Sequence, residues 1–131
     1  MLHGRSCLAG TKPADLPILA ESLASLGFPD PLIAAQVNVT TLGLAAPDVL
    51  VLDLDAMDVD ALELLRMTRF VLPLCVIAVH TGTLEQGWAA ACHLAGATCI
   101  LSKKSDVDHI TSGLRRAMTT GCFTDATFAA P

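Results

Sequence analysis

The chain reads as an open α/β domain, a parallel sheet with helices packed on both faces. Three observations predict it. Strand-like and helix-like stretches alternate five times with short connections, the pattern of βαβ units with right-handed crossovers. The strand stretches at Val49–Leu54 and Leu74–His80 are nearly unbroken apolar runs, as expected of strands covered on both sides. The hydrophobic share is 53% and the charged share only 16%, against about 25% charged in an average globular chain. That excess suits a doubly covered sheet or a surface hidden in an oligomer. At 131 residues the chain is one domain by length, large enough for a real core.

Each element follows from local signals. Residues 5–9 form a first strand that stops at Gly10-Thr11. A helix follows, with Leu16, Leu19, Ala20, Leu23 and Leu26 on one face. Asp15 can cap it, Pro17 falls in its first turn, and Gly27 ends it. Leu32–Val37 reads as the second strand, and residues 38–46 as a short helix closed by Pro47. After the third strand, 49–54, Asp60 caps a helix running toward Arg69. The fourth strand, 74–80, leads to an Ala-rich helix from Leu84 to Ala95, closed by Gly96. A fifth strand spans 98–101. A last helix, about 106–119, carries Val107, Ile110, Leu114 and Met118 on one stripe, with Arg115 and Arg116 suited to its negative end. The domain ends near residue 120, and 121–131 reads as a tail or the start of a linker.

Composition excludes several functions. The net charge is −5 and no basic cluster exceeds two neighbours, which argues against direct nucleic-acid binding. The longest apolar run, Phe70–Val79, falls short of the roughly 20 residues that span a bilayer, and no signal peptide opens the chain. The five cysteines make no Cys-x-x-Cys and read as reduced thiols. A cytoplasmic protein is expected.

The chemistry concentrates after the third strand, where Asp53, Asp55, Asp58 and Asp60 follow one another. In an open α/β sheet, ligands bind outside the carboxyl ends of the strands, so Asp53 is the first candidate.

These residues resemble the CheY-like receiver domain of bacterial response regulators, over roughly residues 5–120. Pro47-Asp48-Val-Leu-Val-Leu-Asp53-Leu is similar to the strand that presents that family's phosphoacceptor. The stretch from Asp55 to Leu62 keeps its loop length, with Met57 for its usual Pro and Ala61 for its usual Gly. Gly96-Ala97-Thr-Cys-Ile-Leu101-Ser-Lys103 matches its Gly-Ala…Leu-x-Lys stretch. The segments around Lys103–Asp106 and Met118–Phe123 look most like receivers joined to a LuxR-type DNA-binding module. The resemblance implies a flavodoxin-like (βα)5 three-layer sandwich of strand order 2-1-3-4-5. It also implies a sensor kinase or other regulatory protein as partner, a possible fused DNA-binding domain, and a homodimer. The dimer would form through the first and last helices or through the face of the fourth helix, fifth strand and last helix.

The family's phosphoryl transfer uses Mg²⁺ held by an acidic pair after the first strand, an acceptor Asp, a switch hydroxyl after the fourth strand and a Lys after the fifth. Here Gly10 and Thr11 stand at the acidic pair and Lys12 follows. His80 stands where the hydroxyl belongs, Thr81 comes one position late, and Ile100 replaces the aromatic partner. Asp53 and Lys103 remain, and a permanent pair between them is expected. The expected pocket is therefore Gly10, Thr11, Lys12, Asp53, Asp55, His80, Thr81 and Lys103. Asp53 and Asp55, with Asp58 nearby, are the only metal ligands on offer, so Mg²⁺ binding is expected to be weak or absent. The expectation is a degenerate, non-enzymatic receiver. Two alternatives stand beside it. One is a receiver phosphorylated at Asp53 that controls a LuxR-type regulator. The other is a haloacid-dehalogenase-like phosphatase, in which Asp53 would be nucleophile and Asp55 acid/base.

Overall fold

The computed structural model describes residues 4–128 apart from 56, 58, 59 and 84. Five βα units build it: β1 (Ser6–Ala9), α1 (Leu16–Ser25), β2 (Leu32–Ala34), α2 (Val39–Ala45), β3 (Val49–Leu52), α3 (Ala61–Val71), β4 (Val76–Thr81), α4 (Gln86–Ala95), β5 (Cys99–Ser102) and α5 (Val107–Thr120). The strands lie parallel in the order β2-β1-β3-β4-β5, the expected doubly wound, flavodoxin-like arrangement. A sixth strand, β6 (Phe123–Thr124), extends the sheet beyond β5.

Strand alternation divides the core into two layers. Leu50, Leu52, Ile77, Val79 and Ile100 face α2, α3 and α4, where Leu42, Leu65, Ala89 and Cys92 meet them. Val49, Val51, Ala78, Cys99 and Leu101 face α1 and α5, against Leu19, Leu23, Ile110 and Leu114. Each such fully buried Leu or Ile contributes about 1.5–3 kcal/mol of transfer free energy. Cys7, Cys75, Cys92 and Cys99 are buried, and Cys122 is exposed. Among the described residues no helix is long and apolar enough to cross a membrane.

Several boundaries differ from expectation. β2 stops at Ala34 rather than Val37 because its only partner, β1, ends at Ala9, and the Gly10 amide takes the Ala34 carbonyl at 2.9 Å. β4 begins at Val76, opposite Val49, and Leu74 sits in the preceding turn at 96% exposure. Asp60 caps α3 as expected, accepting from the Leu62 and Glu63 amides. Asp15 does not cap α1: its backbone is already helical and its side chain makes no cap bond. α5 runs to Thr120, which leaves Arg115 and Arg116 short of its last turn. The expected start of the fourth helix at Leu84, and Asp58 in the acidic loop, lie outside the described residues.

The stretch expected to be a tail is instead folded through residue 128. After Gly121 turns the chain (φ +85°), β6 pairs with β5 and a single 3₁₀ turn covers Ala126–Phe128. Phe128 is buried in the α2–α4 layer. Asp125 anchors the turn, accepting from Ser105 Oγ (2.6 Å), the Thr127 amide (2.9 Å) and Thr127 Oγ1 (3.0 Å). Two neighbouring side chains, His93 and Thr124, add a bond at 2.7 Å between Nε2 and Oγ1.

Candidate functional site: a carboxylate–lysine pocket

The pocket sits where the C-terminal ends of β1, β3, β4 and β5 converge. β3 is buried throughout and delivers Asp53 at its end, itself buried. The Asp53 amide donates to Ala9 O at 3.0 Å, so β1 holds the end of β3. Asp53 Oδ1 accepts the Asp55 amide at 3.0 Å, which folds the acidic loop back over the carboxylate.

Lys103, the first residue after β5, brings its ammonium to 2.7 Å from Asp53 Oδ2 and 3.1 Å from Asp55 Oδ2. From the β1–α1 loop, Lys12 Nζ lies 3.7 Å from the same Asp53 oxygen. Two cations from distant loops therefore converge on one carboxylate, and the Asp53–Lys103 pair is formed as expected.

Asp55 is the second centre. Its carboxylate accepts the Thr81 hydroxyl at 2.6 Å and the Gly82 amide at 2.8 Å. Burial on its own would raise its pKa, but these two donors and Lys103 outweigh it and hold the group below the ordinary carboxylate value. For Lys103, burial pulls the other way, and the bonds to Asp53 and Asp55 win, leaving its pKa raised. Asp55 and Lys103 are thus both ionised near neutrality.

The structure corrects the assignment of the hydroxyl. β4 extends through Thr81, and alternation turns Thr81, not His80, toward the acidic loop, where it bonds Asp55. His80 falls on the face of Ala78, toward α1 and α5. It is buried, and neither ring nitrogen has a protein partner among the described residues. Burial lowers its pKa below the ordinary imidazole value, against the opposing pull of Asp15. Ile100 is wholly buried core.

At the β1–α1 loop, Gly10 has φ +72°, and a Cβ there would lie 2.7 Å from Asp53 O and 3.1 Å from Val37 Cγ2. No side chain, acidic or otherwise, fits at that position. Thr11 Oγ1 is buried without a protein partner among the described residues. The pocket thus brings together Gly10, Lys12, Asp53, Asp55, Thr81 and Lys103, with Thr11 on the same loop and His80 on the sheet's other face. Among the described residues no group of three His, Cys, Asp or Glu could hold a metal. The two carboxylates present already share one ammonium and adjoin a second. This donor set does not fit Mg²⁺, a hard cation that needs free carboxylate oxygens.

No family model matches the sequence, and no curated protein is similar to it by sequence. Solved structures are similar in fold. A two-component response regulator of the LuxR family from Aurantimonas sp. SI85-9A1 superposes with a TM-score of 0.81 at 19% identity, over 97% of this chain and 93% of that one. A response regulator from Thermotoga maritima gives 0.78 at 17% identity, over 90% and 99%. A CheY-like protein from Pseudomonas aeruginosa PAO1 gives 0.70 at 21% identity, over 86% and 98%. Strand order, layer composition and these superpositions agree: the chain has the CheY-like receiver fold, with an extra parallel strand at its β5 edge.

Proposed function

We propose that this chain is an atypical response-regulator receiver domain that signals by protein–protein contacts, with Mg²⁺-dependent phosphorylation of Asp53 impaired or lost. One observation carries the reading: Lys103 bridges Asp53 and Asp55 while Gly10-Thr11-Lys12 fills the loop where the resemblance calls for an acidic pair. Two ammonium groups crowd one Asp53 oxygen and the Asp55 amide holds the other, so a metal must compete with cations already in place. Without the metal the charge on a transferring phosphoryl group is poorly offset. The receiver fold supports the signalling role.

The reading includes a sensor kinase or other regulatory protein as partner and a fused or separate DNA-binding output module. It also includes a homodimer through α1 and α5, since residues 123–128 run along the β5 edge beside α4. The domain itself does no catalysis in this reading. Asp55 held ionised by Thr81, Gly82 and Lys103 suits a phosphatase acid poorly, which disfavours the haloacid-dehalogenase alternative. The Thr81 hydroxyl in the pocket favours the second reading, a phosphorylatable Asp53 controlling a LuxR-type regulator.

Incubation with acetyl phosphate and Mg²⁺, followed by intact mass, separates the two. The proposal expects no stoichiometric phosphoryl adduct. A full adduct that Asp53→Asn abolishes would establish the second reading instead.

A further inference from the structure

We propose that Lys12 is the pocket's own counter-ion, an ammonium that takes the charge-neutralising role a divalent ion would otherwise fill beside Asp53. The inference rests on the reading above and goes further by assigning the loss of metal binding to one side chain. Lys12 reaches Asp53 Oδ2 from the β1–α1 loop, whereas Lys103 reaches the same oxygen from the β5–α5 loop. Together they set two positive charges against the two carboxylates, and the cluster is neutral.

Position and exposure separate the two lysines. Lys103 is 18% exposed and touches both carboxylates, so it holds the loops together. Lys12 is 49% exposed and sits at 3.7 Å, an ion pair without a hydrogen bond. Such a pair contributes little to stability. Its effect is electrostatic: a dication approaching Asp53 meets an added unit of like charge at close range. Gly10 is sealed by Asp53 O and Val37, so a carboxylate cannot enter there without moving the end of β3. Lys12 is the position of this loop from which a side chain demonstrably reaches Asp53.

The test is Mn²⁺ titration of the full chain by calorimetry or by loss of the free-ion spin-resonance signal. Wild type, Lys12→Ala and Lys12→Asp would be compared, each checked for fold by circular dichroism. The proposal expects no saturable binding by wild type. Lys12→Asp should bind one equivalent with an affinity higher by on the order of tenfold or more, as ligand charge count governs such sites. Lys12→Ala should fall between, and adding Asp53→Asn to Lys12→Asp should erase the gain. Saturable binding by wild type at the strength of Lys12→Asp would overturn the proposal. So would a folded Lys12→Asp chain with no gain, or a gain that survives Asp53→Asn. The phosphodonor experiment on wild type distinguishes the two levels. Stoichiometric labelling sinks the functional reading, whereas an unresponsive Lys12→Asp chain without labelling sinks only the assignment to Lys12.

Discussion

Opposite ends of the same strands each hold a half-buried cation, and the two ends are built differently. At the end where β4 and β5 begin, Arg69 of α3 uses all three guanidinium nitrogens. Nε donates to Gly96 O (2.9 Å), Nη1 to Leu72 O (2.9 Å) and Cys75 O (2.8 Å), and Nη2 to Thr98 Oγ1 (2.9 Å). Gly96 is bare because a Cβ there would lie 2.7 Å from Arg69 Cβ. Every acceptor is neutral. At the other end Lys103 faces two carboxylates, and polar atoms of Thr11 and His80 lack partners among the described residues. Buried polar groups are ordinarily paired. Arg69 is a saturated fastening, whereas the Lys103 end concentrates charge.

The comparison can be broken in order of effect. Arg69→Leu should be the most damaging change, because it strands the carbonyls of Leu72, Cys75 and Gly96. We expect a loss of about 3 kcal/mol or more, read by urea denaturation, and a loss under about 1 kcal/mol would mean that water replaces the guanidinium freely. Lys103→Met leaves Asp53 buried and should cost about 2 kcal/mol. That is below the roughly 3–5 kcal/mol of a fully buried pair, because Lys103 is partly exposed and Lys12 remains beside the acid. A variant as stable as wild type would show that Asp53 does not depend on the Lys103 ammonium.

The smallest effect is a pH dependence. His80 has a folded pKa below its unfolded value of 6.5, so the unfolded chain binds the proton first. The neutral ring's contribution is complete above pH 6.5 and is lost as pH falls from there toward the folded value. His80→Leu should therefore flatten the acid limb of stability just below pH 6.5, as pH titration of urea midpoints would show. Exposed His109, whose pKa Asp106 raises, acts in the opposite sense in both chains and cancels in the difference. Identical acid limbs would mean that His80 is solvated.

Much of this was legible in the residues. Buried strands announce themselves by unbroken apolar runs, and Asp60 and Gly96 mark helix ends through backbone chemistry that needs no tertiary partner. Asp53 is legible as the end of a buried strand, and Lys103 as its partner only through the resemblance of Gly96–Lys103 to the receiver stretch. What escaped depends on partners far along the chain. β2 is as long as β1 permits, which Leu32–Val37 does not encode. Thr81 takes the pocket because β4 runs one residue past His80 and alternation puts Thr81 on the face of Ile77 and Val79. The Arg69 hub left no local trace, since its acceptors are main-chain carbonyls and one hydroxyl, that of Thr98, 29 residues further on. β6 was unreadable because two residues carry no periodicity, and what holds it, Phe128 beside α4 and the bonds of Asp125 and Thr124, lies in tertiary contacts.

The distribution of sulfur has a practical consequence. Burial pushes the thiols of Cys7 to about 11 and of Cys75 and Cys92 to about 12, and raises Cys99 further, so none of them offers a thiolate to an electrophile. Cys122 alone is open to solvent, at the bend between α5 and β6. A maleimide dye added to the unmodified chain will therefore attach at one place and report, by its own mobility, whether the last strand stays zipped to the sheet.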